Sequence, residues 1–165
     1  MKKRLSLIQM DVHVNDVEYN YNRVQELLTQ ALAETPDIIV LPETWNTGFH
    51  PSKDLINISD RNGERTKALL SAFSKEHNVN IVGGSVAVAK EDLIFNTSYA
   101  YNREGTLVGE YSKMHGFSPA KENQYFASGT HTTHFELDGI PCSTVICYDI
   151  RFPELVRMAA LSNTE

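Results

Sequence analysis

Residues 37–43, DIIVLPE, form a short continuous apolar run that ends in a carboxylate. Such a run suits a strand buried on both faces, and a strand of that kind needs strand neighbours beside it and helices to cover it. The flanking segments supply both. Residues 4–12, RLSLIQMDV, alternate with an apolar bias that suits a strand, and Val17, Tyr21, Val24, Leu27, Leu28, Ala31 and Leu32 then recur at helical spacing. Asn15 stands three residues before Glu18 in a capping-box-like arrangement, and Pro36 and Asp37 close that helix. A second amphipathic helix is predicted over 64–77 on Ala68, Leu69, Leu70 and Phe73, and a further strand over 79–89. Gly83 and Gly84 inside that strand imply a bulge or a close backbone approach; they have no phosphate-loop context.

The second half reads as strand after strand. Residues 94–102 and 107–113 are joined by a turn at 103–106, and a long polar loop follows. Residues 133–138 and 140–149 flank Asp138-Gly139, a strong hairpin signal. A last helix has Pro153 in its first turn, Glu154 near its positive end, and Leu155, Val156, Met158, Ala159 and Leu161 as apolar residues. Strands alternating with helices, then hairpins, predict an α/β layered fold with a mixed sheet. In such sheets the carboxyl ends of neighbouring strands line a common crevice, which is where this reading puts Glu43, Lys113 and Cys147.

A chain of 165 residues suits one domain. With 41% hydrophobic and 22% charged residues it is composed as an ordinary globular protein, neither disordered nor membrane-embedded. A net charge of -6 without a run of Lys and Arg argues against nucleic acid as a partner. No segment reaches membrane-spanning length and no cleavage pattern follows the basic start, so a cytoplasmic protein is expected. Cys142 and Cys147 lie five apart. On an extended strand that is roughly 16 Å with the side chains on opposite faces, too far for a disulfide.

Cys147 needs a base or an electropositive setting to act as a nucleophile. A buried carboxylate could take the thiol proton, and a lysine beside both could stabilise charge on an attacked oxygen. Singly, each residue has an ordinary alternative: a buried apolar thiol, a capping or solvated carboxylate, a surface lysine. His131 and His134 lack a third ligand at a familiar metal spacing and read as solvated loop histidines. His115 is placed to shape the loop after Lys113.

In combination, LPETWNTGF (41–49), EYSKMHGF (110–117) and VICYDIRFPEL (145–155) resemble the three signature blocks of the nitrilase-like carbon-nitrogen hydrolases, in the same order and across nearly the whole chain. The resemblance implies an αββα sandwich with mixed sheets, no cofactor and no metal. It also implies Glu43 as general base, Lys113 as stabiliser of the tetrahedral intermediate, Cys147 as nucleophile, the backbone N–H of Tyr148 in the oxyanion site, and Glu122 as a second glutamate. As a residue alone, Glu122 could equally be a solvated loop charge. The blocks look most like the omega-amidase branch, which deamidates 2-oxo-dicarboxylic acid monoamides such as 2-oxoglutaramate. Arg151 could pair with the far carboxylate of such a substrate, or anchor its own helix or Asp149. Trp45, Phe49, Tyr125 and Phe126 could wall the pocket or serve as core.

Two departures stand out. Gly116 replaces a bulky apolar residue of the family, which implies a looser loop. The chain is also shorter than the family domain, so residues 1–165 read as roughly its N-terminal two thirds, with the sandwich incomplete at the C-terminus. A small-molecule amide is the expected partner, and a homodimer where the full domain is present. Such a shortened chain is expected to be marginally stable or to self-associate. The alternative reading is an inactive fragment that acts only as an assembly partner.

Overall fold

The computed structural model describes residues 2–49 and 54–164. In chain order the elements are β1 (Leu5–Leu7), α1 (Val17–Ala31), β2 (Ile38–Val40), α2 (Leu55–Ile58), β3 (Asp60–Arg61), α3 (Glu64–His77), β4 (Asn80–Val82), β5 (Val86–Lys90), β6 (Leu93–Tyr101), β7 (Leu107–Ser112), β8 (His134–Leu137), β9 (Ile140–Ser143) and α4 (Pro153–Leu161). Short 3-10 turns cover Leu32–Glu34, Ser118–Ala120, Glu122–Gln124 and Cys147–Arg151.

The mixed sheet expected from the sequence is present. β1, β2 and β4 run parallel, β4 and β5 both pair antiparallel with β6, and β3 extends the sheet beside β5. The long β6 carries β7 along its other edge. β8 and β9 form a separate hairpin whose turn residues Asp138 and Gly139 both have positive φ, as a tight two-residue turn requires.

One face of the sheet is apolar. Ile39, Ile81, Tyr101 and Tyr99 alternate onto it with Val86 and Val88, and Tyr21, Val24 and Leu28 of α1 with Leu70 and Phe73 of α3 cover it. The other face carries Asn96, Ser98 and Ala100 of β6, all buried. Small and polar residues there leave room for functional groups. On β7, Gly109 pairs with Ala100; a Cβ at Gly109 would lie 2.6 Å from Phe135, so glycine lets the hairpin pack directly over this face.

Four expectations are corrected. The strand expected over 79–89 is two strands, because Gly84 turns left-handed at φ +58 and lies so close that a Cβ would sit 2.0 Å from the Pro42 carbonyl oxygen. The close approach foreseen there is real. Helix α1 is capped by Asp16, whose side chain accepts the Tyr19 N–H at 3.1 Å, since Asn15 is itself left-handed at φ +63. The strand expected over 4–12 is only Leu5–Leu7, which is as far as its three-residue partner β2 extends. The strand expected over 140–149 stops at Ser143, opposite His134 where its partner β8 begins.

Candidate active site

Glu43 lies three residues beyond β2, in a loop pinned to the sheet. The Pro42 carbonyl accepts the Ser85 N–H at 3.0 Å, Thr44 N–H donates to Ser85 Oγ at 3.0 Å, and Asn46 exchanges two side-chain bonds with the backbone of Ala87. Lys113 follows β7 directly. Its backbone N–H donates to the Asn96 carbonyl at 2.9 Å and its carbonyl accepts from Gly129 at 2.8 Å, which continues the strand by one residue on each side. Glu122 opens a 3-10 turn and is only 2% exposed, so it is not a solvated loop charge.

These three side chains meet. Lys113 Nζ donates to Glu43 Oε1 at 2.9 Å and to Glu122 Oε1 and Oε2 at 2.9 and 2.8 Å. Asn96 Nδ2 donates to Glu43 Oε1 at 3.0 Å and to Glu122 Oε1 at 3.3 Å, and the Phe117 N–H donates to Glu122 Oε2 at 2.7 Å. Burial works against the charge on Lys113, but hydrogen bonds to Glu122 and Glu43 outweigh it and lift the ammonium above the ordinary lysine range. It stays a cation.

Cys147 is not at a strand end. It opens the 3-10 turn Cys147–Arg151 with φ +48, a left-handed conformation that costs a non-glycine residue about 1–3 kcal/mol and is found where surrounding structure enforces it. Thr44, beside Glu43, and Lys121, beside Glu122, are left-handed too, at φ +45 and +57. Cys147 is exposed, yet partial desolvation of its thiol raises its pKa, the Glu43 charge and hydrogen bond raise it further, and Lys113 pulls the other way. The resting sulfur is therefore a thiol held by a carboxylate. Cys142 and Cys147 are both free.

What holds the cysteine turn is Asp149, which is fully buried. Its Oδ2 accepts the Tyr111 hydroxyl at 2.6 Å and the Ile146 N–H at 3.1 Å; its Oδ1 accepts the His115 N–H at 2.9 Å and lies 2.8 Å from His115 Nδ1. Burial and the Asp149 bond push the Tyr111 phenol far above its usual range, which keeps it a donor. Tyr111 and Lys113 are two apart on one face of the β7 edge, so one strand delivers both the anchor of the cysteine turn and the cation. His115 stacks on Phe152 with ring centroids 3.6 Å apart, closing the loop it shapes against that turn.

A cleft of about 600 Å³ opens beside Cys147, lined by Phe49, Phe117, Tyr148, Ile150 and Arg151. Phe49 also lies 6.0 Å from the Lys113 ammonium. Trp45, by contrast, is fully buried in the core, edge-on to Tyr21 and donating to the Gly83 carbonyl, so it does not wall this cleft. Tyr125 and Phe126 face a different hollow, with Ile56 and Leu93. Arg151 is exposed and forms no ion pair among the described residues; Asp149 is taken by Tyr111 and His115 instead. His131 bonds Thr130, and His134 bonds Ser143 and Ser162. Among the described residues no group of three or more His, Cys, Asp or Glu side chains is placed to hold a metal ion. Sequence reasoning missed Asn96, and it named Asp149 only as a partner for Arg151. An asparagine amid strand-forming residues, where that residue type is disfavoured, was the available signal for the first.

The site thus joins two carboxylates and one lysine on a mixed sheet to a left-handed cysteine that lines a cleft. The chain belongs to the carbon-nitrogen hydrolase family, whose model matches residues 4–165. It is 38% identical over 157 residues to the 2-oxoglutaramate amidase of Bacillus subtilis (strain 168), covering 95% of this chain and 60% of that protein. It is 30% identical over 167 residues to the omega-amidase NIT2 of Danio rerio, covering 96% and 59%. Among solved structures, XC1258 from Xanthomonas campestris, a CN-hydrolase superfamily protein with an arsenic adduct in its active site, is 30% identical at a TM-score of 0.81, over 92% of this chain and 56% of that one. An amidase from Nesterenkonia sp. has the same fold, with a TM-score of 0.86 at 21% identity over 99% and 62%. The chain thus spans about three fifths of the length of the curated relatives it matches. No helix among the described residues is long and apolar enough to cross a membrane.

Proposed function

We propose that this chain carries the chemistry of a thiol amidohydrolase that cleaves the C–N bond of a small carboxylic amide, with the omega-amide of a 2-oxo-dicarboxylic acid such as 2-oxoglutaramate as its substrate class. The observation that carries this reading is the Glu43–Lys113–Glu122 cluster, bonded together beside the left-handed Cys147. Glu43 takes the thiol proton as sulfur attacks the amide carbon. The oxyanion that forms is met by the Lys113 ammonium and the Tyr148 backbone N–H, donors of a kind worth about 2.7–4 kcal/mol each. Glu43 returns the proton to nitrogen, the C–N bond breaks and ammonia leaves a thioester on Cys147. Water, giving a proton to Glu43, then attacks the thioester; the acid departs and the thiol is restored. No cofactor takes part.

Arg151, exposed at the cleft rim, is the group we assign to the distant carboxylate of the substrate. Phe49 and Tyr148 wall the acyl chain. A reducing cytoplasm suits two free thiols, and a homodimer is the assembly we assign.

A second reading, an inactive piece that acts as an assembly partner, draws on one observation: Ile150, Met158 and Leu161 are 67%, 51% and 76% exposed around the nucleophile turn and α4. Intact-mass spectrometry during incubation with 2-oxoglutaramate and a panel of amides, with ammonia followed in parallel, separates the two. A transient acyl adduct on Cys147 with ammonia release supports the amidohydrolase. Neither signal, while the Bacillus subtilis 2-oxoglutaramate amidase is active in the same assay, supports the assembly partner.

A further inference from the structure

Asn96 is 1% exposed in the middle of β6, on the polar face of the sheet, and touches all three charged residues of the site. Its Nδ2 donates to both carboxylates and its backbone carbonyl accepts the Lys113 N–H. The other end of its amide, Oδ1, is buried without a hydrogen-bond partner among the described residues. The amide cannot simply be turned over, because Oδ1 would then face two carboxylate oxygens. A strand position chosen for packing alone would hold Val or Thr. Asn96 therefore leaves one buried oxygen unsatisfied in order to aim an amide at Glu43 and Glu122.

The donor count at Lys113 shows what that amide is for. An ammonium has three N–H donors, and three bonds leave Nζ here, one to Glu43 Oε1 and two to Glu122. A donor must be released before Lys113 can meet an oxyanion. Asn96 already donates to Glu43 Oε1 and Glu122 Oε1, so either oxygen keeps a partner when the ammonium turns away. Both Asn96 and Lys113 bind Glu43 through Oε1, which orients Oε2 as the proton-accepting oxygen.

We infer that Asn96 is a positioning residue for the reaction: it holds Glu43 with Oε2 towards the thiol and takes over its Oε1 when Lys113 swings to the oxyanion. The inference rests on Glu43 and Lys113 acting as proposed above. The charged and titratable groups facing Glu43 are Lys113 from the end of β7, Glu122 from its 3-10 turn and Cys147 from the nucleophile turn. Two carboxylates around one ammonium leave an excess negative charge, which a neutral amide donor partly offsets. Losing that donor leaves Glu43 Oε1 with Lys113 alone, so the carboxylate is no longer fixed with Oε2 towards the thiol once the ammonium turns away.

The test uses Asn96→Thr, which suits a buried strand and lacks the reach, with Asn96→Ala as a second variant and Trp45 fluorescence in urea to show that each is folded. Alkylation of the Cys147 thiol by iodoacetamide, followed by mass on the Cys147 peptide, needs Glu43 to take the same proton and should slow about 10-fold in both variants. Amide turnover should lose about 10–100-fold in kcat with KM within about threefold. A folded variant that alkylates at the parent's rate, or that keeps the parent's kcat, overturns the inference. Absence of turnover in the parent protein would count against the amidohydrolase itself, and the rate of Cys147 alkylation would still decide the role of Asn96.

Discussion

The two halves of the site are built differently. The Glu43, Asn96, Lys113 and Glu122 group stands on the sheet, where every member is tied to a strand or a strand-pinned loop and Lys113, Asn96 and Glu122 are at most 3% exposed. The Cys147 half stands on a short turn. Asp149 is its buried post, Ile146 and Leu155 are its buried apolar neighbours, and Ile150, Val156, Met158 and Leu161 remain exposed. The carboxylate–lysine half is thus held by the sheet, which a local change on the turn does not disturb. The cysteine half depends on one carboxylate, and its geometry can fail while the core stays intact.

The sharpest test of this contrast is Cys147→Ala, which should reduce amide turnover about 10⁴-fold or more while leaving the Trp45 unfolding midpoint in place; Cys142→Ala should stay within about twofold. Similar losses from both would remove the division of roles. On the other half, Lys113→Met leaves two carboxylates without their cation and should cost about 3–5 kcal/mol of global stability, read from urea denaturation. Adding Glu122→Gln should recover part of that loss, because less buried charge is left uncompensated.

Asp149→Ala strands the Tyr111 hydroxyl and the N–H groups of Ile146 and His115. It should cost about 2–3 kcal/mol, appearing as faster amide exchange over 144–161 with little change at Trp45. A global loss equal to that of Lys113→Met would show that the halves are one cooperative unit.

The smallest effect is expected at the hairpin. Arg103 bonds Asp138 and Asp37, and Lys3 also reaches Asp138, so the β8–β9 turn is tied to the start of β2. The Arg103 hydrogen bond, with help from Lys3, holds the Asp138 carboxyl far below its ordinary value. A depressed carboxyl stabilises the fold above its unfolded value of 3.8 and ceases to do so as pH falls through its folded value. The parent hairpin should therefore keep this tie at pH 4 and lose it only in stronger acid. Arg103→Ala should cost under about 1 kcal/mol and move the loosening up towards the unfolded carboxyl value, as followed by amide exchange during acid titration.

Much of this architecture was legible in the residues. Helix α3 falls on the predicted bounds 64–77, because its apolar spacing and the turns around it are local signals. β6, β7 and the Asp138-Gly139 hairpin were likewise readable from alternation and turn chemistry. The split of β4 from β5 was not, since it depends on how closely the Pro42 loop crosses Gly84. The same holds at the site. Three signature blocks brought Glu43, Lys113 and Cys147 forward as a set. Trp45 entered as a pocket wall because an aromatic next to a motif residue looks alike whether it points to the cleft or, as here, into the core.

By itself, then, the sequence determined the longer elements, the mixed α/β class and the chemical character of the site residues, because periodicity, turn residues and functional groups are properties of short stretches of chain. Only the tertiary structure decided who meets whom. Asn96 and Glu43 are separated by 53 residues, and Tyr111 and Asp149 by 38. Asn96 and Tyr111 serve one site because β6 and β7 lie side by side, and strand pairing of that kind is set by packing of the whole sheet rather than by any local pattern.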